Sequence, residues 1–374
     1  MKKFLRFVGN PFPTVGVEEE FHLIDPATGE LAPRVEEALK DLAPARAGRV
    51  SRELFLSVLE NQSLPCRGAE ELLCEIRRDR RELAAVCRRR GLRLVAAASH
   101  PFADWRRERF IPSPHYQWVA DRCGCVARRL LAYGLHVHVG MRDAATATYA
   151  ADQFRRWLYP VMALSVNSPY FEGADSGLAS VRAHLMGGMP GAGMAVKMDS
   201  FAQVEEYYRK LKATGDVESP GSLWWHLRPQ PPLGTVEVRM LDLPTDPERA
   251  AAVAAVVQAT MAVLQDACLA GEPRIGLDPV YLQENFWRAT RDGLEALIVE
   301  PATGEVLSMR EQLARLFEMI EGKAGELESG RLLKLAREYT EQPGEAAGQR
   351  EFVGAGHDLR ELEMWLAQRT EELA

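Results

Sequence analysis

Cysteine is scarce in this chain, and its spacing excludes the common cysteine-based sites. Only six cysteines occur among 374 residues, and no two of them form a Cys-x-x-Cys pair. A structural zinc site needs such spacings of cysteine and histidine, so none is expected. Cys123 and Cys125 are too close in sequence for an unstrained disulfide. We therefore expect reduced thiols.

Long apolar runs and an excess of basic charge are also missing. No stretch reaches the roughly 18 continuous apolar residues of a membrane span, and the basic, apolar start at residues 1–7 is too short for a signal peptide. The net charge is −7, and the arginines are dispersed, which argues against nucleic-acid binding. The arginine-rich stretch 77–90 alternates with acids and is interpreted as a solvated helix face. We expect a cytoplasmic protein without nucleic-acid or membrane partners.

The order of predicted elements favours an α+β fold with an antiparallel sheet. Residues 15–24 alternate, turn at 25–29 and resume at Leu31, which predicts a hairpin, and a similar turn recurs at 300–305. Hairpins and helices follow one another without a βαβ repeat. Further strands are predicted at 51–59, 92–98, 134–141, 223–227 and 235–241, and helices at 35–42, 69–90, 115–132, 144–166, 200–212, 247–270 and 358–373. Residues 228–234 and 343–356 are predicted loops, and the glycine-rich stretches 187–193 and 215–221 are candidate flaps.

Four carboxylates stand in strands that are otherwise apolar. Because strand side chains alternate, Glu18 and Glu20 share one face of the first strand. Two neighbouring carboxylates repel each other unless a positive group lies between them. Glu53 and Glu60 open and close the next apolar strand. Taken alone, each pair is equally consistent with strand surfaces or strand ends in solvent.

Two later strands carry polar residues in the same way. His136 and His138 point to one face of their strand, and two imidazoles in register favour metal or phosphate contact more than a lone histidine does. Glu237 and Arg239 share one face of the strand 235–241, where a plain same-face ion pair is the simpler interpretation.

Taken together, these residues predict a site for a hard divalent cation. Several carboxylates with a neutral imidazole suit Mg²⁺ or Mn²⁺, and such ions commonly bridge nucleotide phosphates. No Gly-x-x-x-x-Gly-Lys-[Ser/Thr] loop is present, so metals and arginines would have to hold any ATP. The residues alone indicate metal-dependent phosphoryl transfer to an unspecified substrate.

An ordered set of motifs resembles the carboxylate–amine ligase branch of the glutamate–cysteine ligase family. The resemblance spans residues 14–307 and rests on Gly16-Val-Glu-Glu-Glu-Phe21, Glu53 to Glu60-Asn61, His136-Val-His-Val-Gly140, Asn167-Ser-Pro-Tyr-Phe171 through Arg182, Trp224-Trp-His-Leu-Arg-Pro229, Thr235-Val-Glu-Val-Arg239 and Glu284-Asn-Phe-Trp-Arg288. It implies a glutamine-synthetase-like fold, with a curved antiparallel sheet that forms a funnel and helices outside. It also implies a catalytic domain at 1–307, followed by a helical region at 308–374 that covers the sheet or pairs with another subunit.

The resemblance further implies a set of residue roles. The metal shell would comprise Glu18, Glu20, Glu53, Glu60, His136 and Glu237, with His136 and His138 open to exchange. His138, Arg228 and Arg239 would contact ATP, and Arg182 and Arg239 would act as catalytic clamps on phosphate or on a substrate carboxylate. The lid would be the segment 186–194.

The implied reaction is ATP-dependent ligation of a carboxylate to an amine. ATP would phosphorylate the γ-carboxylate of glutamate in the presence of Mg²⁺ or Mn²⁺, and an amine such as cysteine would attack the acyl phosphate. Three rivals use the same residues: a guanidino kinase-like phosphotransferase, a hydrolase, and a non-catalytic metabolite-binding protein. The substrates in every case are small molecules.

Overall fold

A computed structural model describes residues 5–46, 48–194, 196–215, 217 and 220–374. Its strands are β1 (Val15–Ile24), β2 (Val50–Arg52), β3 (Val58–Gln62), β4 (Arg93–Val95), β5 (Gly134–Gly140), β6 (Tyr170–Phe171), β7 (Ala174–Asp175), β8 (Leu227–Gln230), β9 (Thr235–Asp242), β10 (Leu297–Val299) and β11 (Val306–Ser308). Its helices are α1 (Val35–Lys40), α2 (Ala69–Arg89), α3 (Pro114–Cys123), α4 (Cys125–Arg128), α5 (Ala144–Phe154), α6 (Leu158–Ala163), α7 (Val181–Gly187), α8 (Phe201–Ala213), α9 (Pro247–Leu269), α10 (Pro279–Asp292), α11 (Met309–Glu326), α12 (Gly330–Thr340), α13 (Glu345–Gly354) and α14 (Leu359–Glu372).

The main sheet is antiparallel in every described pairing, which confirms the predicted α+β class. Its strands follow the order β2-β3-β1-β5-β9-β8, and β4 pairs with the C-terminal end of β1. Within the described chain β2 and β8 end this order without pairing with each other, so the sheet is open. One face carries the apolar side chains of Val17, Phe21, Val137 and Val238, all buried in the main core. Helices α2 and α9 contact these strands.

Several predicted boundaries are wrong for local steric reasons. The helix predicted at 115–132 breaks at Gly124, which has a positive φ of 56°, and the one predicted at 144–166 breaks before α6, where Pro160 lacks an N–H. The strand predicted at 51–59 is two strands, because residues 53–57 leave the ladder and Phe55 instead pairs with Phe110.

Arg228 lies in β8 rather than in a loop, and Pro229 is tolerated there because β8 is an edge strand. The predicted loop 343–356 contains α13.

The two similar turns are the same local structure, as predicted. In the first, Asp25 Oδ1 accepts hydrogen bonds from the backbone N–H groups of Ala27 and Thr28. In the second, Glu300 Oε2 accepts from Ala302 and Thr303 in the same way and closes the β10–β11 hairpin.

Helix α9 is long and apolar enough to cross a membrane by length and composition alone. However, 72% of its most apolar window is buried inside the protein, against α2, α5, α11 and α12. We assign it as the central core helix, against which the C-terminal helices α11 and α12 pack. The division of the chain at residue 307 stays a prediction.

Arg80 shows that the predicted solvated arginine face of α2 is wrong in part. Its guanidinium is fully buried and donates to Glu19 Oε1 from Nε and Nη2, at 3.0 and 2.7 Å. The remaining donors reach the carbonyl oxygens of Thr245 and Pro244 at 2.6 and 2.9 Å. Glu19 points away from Glu18 and Glu20, so this ion pair fixes the apolar side of β1 on α2.

We expect Arg80→Met to lower the free energy of unfolding by about 3 kcal/mol, because it leaves Glu19 buried without a counter-charge. Urea unfolding of the metal-free protein measures this change. Arg81→Met, on the exposed side of the same helix, is the control and should change stability by less than about 0.5 kcal/mol. Equal effects of the two substitutions would contradict the structural role of the pair.

Candidate active site

The strand register brings the predicted polar residues together on one face of the sheet. Glu20 lies opposite Glu60, and Glu18 lies between Gln62 on β3 and His136 on β5. Directly paired residues on one face have Cβ atoms roughly 5 Å apart. One row further along, Glu237 lies between His138 on β5 and Arg228 on β8. The face opposite the apolar core is therefore a continuous polar surface over five strands.

Glu18 is the carboxylate that connects the two histidines. Its Oε2 lies 2.9 Å from His136 Nδ1, and its Oε1 lies 3.5 Å from His138 Nε2. Burial would raise the pKa of Glu18, but hydrogen bonds and charge from His136 and His138 outweigh burial and hold the pKa far below its usual value. Its side chain is 19% exposed, so a cation can reach this carboxylate.

Glu18, His138 and Glu237 form the group whose ligand atoms all lie within 4.8 Å of one another. His138 Nε2 is buried without a hydrogen-bond partner, while Nδ1 lies 3.0 Å from Thr235 Oγ1, which orients the ring. Burial would lower the pKa of His138, yet Glu237 and Glu18 raise it. Two carboxylates and an orphaned imidazole nitrogen fit a divalent cation, which would replace the proton. His136 Nε2 is likewise buried without a hydrogen-bond partner and lies 3.5 Å from Glu20 Oε1, so both imidazoles stay candidates for the metal ligand.

Glu237 is held by three cationic or amide groups. Arg228 Nε and Gln230 Nε2 donate to its Oε2 at 2.8 and 2.6 Å, and Arg239 Nη1 donates to its Oε1. Burial would raise the pKa of Glu237, but the charges of Arg228 and Arg239, aided by both histidines, hold it well below the usual value. Glu237 is therefore fixed in place by Arg228, Gln230 and Arg239.

The other predicted carboxylates, Glu20, Glu53 and Glu60, form a second group whose members repel one another. Glu20 Oε2 accepts a hydrogen bond from the backbone N–H of Gly134. Burial, and then the charge of Glu20, raises the pKa of Glu53 to about 7, and Tyr116 Oη donates to Glu53 at 3.3 Å. Burial and the charge of Glu53 also raise the pKa of Glu60 well above its usual value. A cation among these oxygens would relieve their repulsion.

Arg182 reaches the site from α7 and is completely buried. Its Nη2 donates to the carbonyl oxygen of Arg239 at 3.1 Å, while Nε and Nη1 have no partner. A Cβ at residue 134 would lie 1.9 Å from Arg182 Nη2, so any residue larger than glycine there would displace this guanidinium. Burial lowers the pKa of Arg182, with opposing contributions from Glu20 and Asp242.

Asp242 positions Arg182 and was missed by the sequence reasoning. Its carboxylate accepts hydrogen bonds from the Asn167 N–H and from the hydroxyls of Ser168 and Ser180, at 2.8, 2.7 and 2.8 Å. Ser168 Oγ in turn accepts from the Arg182 N–H at 3.2 Å. Ser168 belongs to a motif that the sequence singled out, but its partner lies 74 residues away.

A cavity opens beside the second carboxylate group. Its volume is about 90 Å³. Glu20, Glu53 and Arg239 line it, together with residues that are mostly apolar or aromatic. The predicted lid segment 186–194 contributes Met186 and Met189 to the wall. Of the predicted flap 215–221, residues 216, 218 and 219 lie outside the described part of the chain.

Comparisons with known proteins agree on one family. The family model described as glutamate-cysteine ligase family 2 matches residues 14–361. A protein named glutamate–cysteine ligase from Haloferax volcanii is 36% identical over 298 residues, which cover 79% of this chain and 83% of that protein.

Two solved structures are similar in fold. A glutamate–cysteine ligase from Francisella tularensis, solved in complex with AMP, matches with a TM-score of 0.74 at 12% identity, covering 99% of this chain and 90% of its own. A bifunctional glutathione synthetase from Pasteurella multocida matches with a TM-score of 0.68 at 14% identity, covering 96% of this chain and 52% of its own. At these identities the likeness concerns the fold, and it confirms the predicted fold type.

Proposed function

Since this chain belongs to glutamate-cysteine ligase family 2, we propose that it is an ATP- and magnesium-dependent ligase that joins the γ-carboxylate of glutamate to an amine. The observation that carries this proposal is the convergence of Glu18, His138 and Glu237, with Arg228 and Arg239 on the same sheet face. The AMP bound to the fold neighbour from F. tularensis supports the choice of an adenine nucleotide. ATP, glutamate and the amine are all small molecules.

We propose that Glu18, His138 and Glu237 hold the metal, and that Glu20, Glu53, Glu60 and His136 belong to the same metal shell. Mg²⁺ held by these residues would neutralise charge on the phosphates of ATP. The arginines of the chain would also act on the charge of the ATP phosphates. Arg239 and Arg228 are fixed by Glu237, so their guanidinium groups are oriented before the nucleotide arrives.

The proposed chemistry proceeds in two displacements. An oxygen of the γ-carboxylate attacks the γ-phosphorus of ATP, the bond to the bridging oxygen breaks, and ADP leaves with an acyl phosphate formed. The amine nitrogen then attacks the acyl carbon, phosphate leaves, and the nitrogen loses a proton. Arg182, with two nitrogens, Nε and Nη1, unpartnered beside Arg239, is suited to hold a substrate carboxylate or the transferring phosphoryl group. The buried surroundings limit hydrolysis of the acyl phosphate.

Hydroxylamine tests the proposal without knowledge of the natural amine. With ATP, Mg²⁺ and glutamate, the protein should release ADP and form γ-glutamyl hydroxamate in equal amounts. Omission of glutamate or addition of EDTA should stop both. ADP release without hydroxamate would favour a hydrolase, and a phosphorylated guanidino compound would favour the kinase alternative. Absence of ADP release under all conditions would support a binding protein.

We expect Arg239→Lys to lower the rate of hydroxamate formation about 100-fold, because lysine keeps the charge but loses the planar guanidinium fork that holds Glu237 and a phosphate oxygen in a fixed geometry. Steady-state kinetics at saturating ATP measure this loss. Arg315→Lys, whose guanidinium pairs with Glu305 at the surface, is the control and should keep the full rate. A rate for Arg239→Lys within twofold of the parent would exclude the clamp role.

A further inference from the structure

A second pocket lies where the start of α9 meets the C-terminal helices. Its volume is about 290 Å³, which is close to the lower end of the range of small-molecule sites. It is lined by Asn167 and by residues from the start of α9, the end of α12, α13 and α14. None of these described residues belongs to the proposed metal shell or to the proposed contacts with ATP. The pocket is therefore separate from the candidate active site.

Arg249 lines this pocket as a buried cation without an ion pair. The residue is 5% exposed. Its Nη1 donates to the carbonyl oxygen of Leu164 at 3.2 Å, and its guanidinium carbon lies 3.9 Å from the centre of the Tyr339 ring. Nε is buried without a hydrogen-bond partner, and Arg249 forms no ion pair with any described residue. A desolvated guanidinium without a paired carboxylate is unfavourable, and an anion bound beside it would relieve this cost.

The two carboxylates of the pocket are already engaged by N–H and O–H donors. Glu345 Oε1 and Oε2 accept from the backbone N–H groups of Asp246 and Thr245, at 3.0 and 3.2 Å. Asp246 Oδ2 accepts from Tyr339 Oη at 3.1 Å, and its Oδ1 accepts from the backbone N–H two residues further along at 2.8 Å. Burial raises the pKa of Glu345, and the charge of Arg249 opposes this rise. Glu345 therefore acts on Arg249 through its charge without pairing with it.

Arg369 on α14 adds a second cation to the pocket. It is half-buried, and its guanidinium carbon lies 5.1 Å from the centre of the Trp365 ring. Like Arg249, it forms no ion pair with any described residue. The acids of the pocket are thus occupied by donors, whereas its two guanidinium groups are unpaired. Such groups bind a carboxylate or a phosphate through two parallel hydrogen bonds.

Hydrogen bonds connect this pocket to Arg182. Gln349 Nε2 donates to Asn167 Oδ1 at 2.7 Å, and the Asn167 N–H donates to Asp242 Oδ2 at 2.8 Å, which is the carboxylate that positions Arg182. Arg249 holds the carbonyl oxygen three residues before Asn167. A ligand that fixes Arg249 therefore restricts the segment that carries Asn167.

We infer that this pocket is a regulatory site for a small metabolite that carries a carboxylate or a phosphate group. Binding of the anion is independent of catalysis, whereas its regulatory effect rests on the proposed function. The bound anion fixes Arg249 and the segment that leads to Asn167. Arg182 is then held in one position before the substrate arrives, so the substrate carboxylate binds more tightly.

Calorimetry with succinate and with inorganic phosphate, at constant ionic strength, tests the binding. We expect at least one of the two to bind at one site per chain, and the tighter of them identifies the group that is recognised. Arg369→Gln should weaken this binding about tenfold, because it removes a charged hydrogen-bond donor. Arg360→Gln, an exposed position of the same helix outside the pocket, is the matched control and should leave the affinity unchanged. Dissociation constants above about 10 mM for both anions would overturn the inference.

Two further variants locate the bound anion. Arg249→Met should abolish binding, and Arg369→Gln, at a half-buried position, keeps the test valid if Arg249→Met does not fold. Arg239→Lys, in the candidate active site, should bind the anion with the parental affinity. Weaker binding by Arg239→Lys together with unchanged binding by Arg369→Gln would place the anion in the active site and overturn the inference.

The hydroxylamine assay tests the regulatory effect. A saturating concentration of the anion should lower KM for glutamate about fivefold, and the same concentration should have no such effect on Arg369→Gln. If the anion binds in the pocket but KM does not fall, the regulatory role is wrong. If no hydroxamate forms under any condition, the ligase proposal fails, and calorimetry still decides whether the pocket binds an anion.

Discussion

Glu18→Gln is expected to lower turnover roughly 1000-fold or more, which corresponds to about 4 kcal/mol of lost transition-state stabilisation. Glu18 contributes one of the two carboxylates in the group with His138 and Glu237, and glutamine offers no negative charge to a divalent cation. The residue is partly exposed, so the fold should tolerate the change. The measurements are the rate of hydroxamate formation and the affinity for Mn²⁺ by calorimetry in the presence of an ATP analogue.

Glu30→Gln serves as the matched control, because Glu30 is exposed and pairs with Arg107 at the surface. It should keep both turnover and Mn²⁺ affinity. If Glu18→Gln retained more than about a tenth of the parental rate, Glu18 would have to be removed from the proposed metal shell. Loss of turnover with unchanged Mn²⁺ affinity would assign Glu18 to the orientation of the histidines instead.

Alternation along the strands was sufficient to predict which polar residues share a face. Glu18 and Glu20 on β1, and His136 and His138 on β5, do lie on one side of the sheet. This works because a strand alternates whatever its neighbours are. The proposed roles of these residues, in contrast, stay predictions.

Register and strand order could not be predicted in this way. That Glu237 lies between His138 and Arg228 depends on the pairing of β9 with β5 and β8, which is set by contacts between distant parts of the chain. Contacts between distant residues also explain why the strand predicted around Glu53 is wrong. In the structure Phe55 is buried in a separate cluster, and this takes the segment out of the ladder.

The buried pair of Glu19 and Arg80 did have a signal in the sequence. Arg80 follows Ile76 by four residues and precedes Leu83 by three, so it lies on the apolar stripe of α2. Glu19 shares its strand face with Val17 and Phe21. Two opposite charges, each on the apolar face of its own element, predict a buried ion pair. The many neighbouring arginines favour the interpretation as a solvated helix face instead.

The carboxylates of the site differ in what surrounds them, and this difference has consequences for stability. Glu237 is surrounded by arginines and histidines, which hold its pKa down. Glu60 is surrounded by other carboxylates, and burial together with Glu53 raises its pKa. Removal of the Glu237 charge leaves buried cations unpaired, whereas removal of the Glu60 charge relieves repulsion between carboxylates.

We therefore expect Glu237→Gln to abolish turnover and also to lower the free energy of unfolding of the metal-free protein by about 3 kcal/mol. Arg228 is 93% buried and Arg239 is 88% buried at the side chain, so neither guanidinium can recover its solvation in the folded state. Urea unfolding in EDTA at neutral pH measures the stability, and hydroxamate formation measures the activity.

Glu60→Gln is the contrasting variant, because it removes one carboxylate from the same sheet face. It should leave the unfolding free energy unchanged or higher in EDTA, while reducing the stabilisation gained on addition of Mn²⁺ and an ATP analogue. If both variants were destabilised equally in EDTA, the arginines around Glu237 would not depend on its charge. The preorganisation of Arg228 and Arg239 by Glu237 would then have no support, because a clamp fixed by this carboxylate must weaken when the carboxylate is lost.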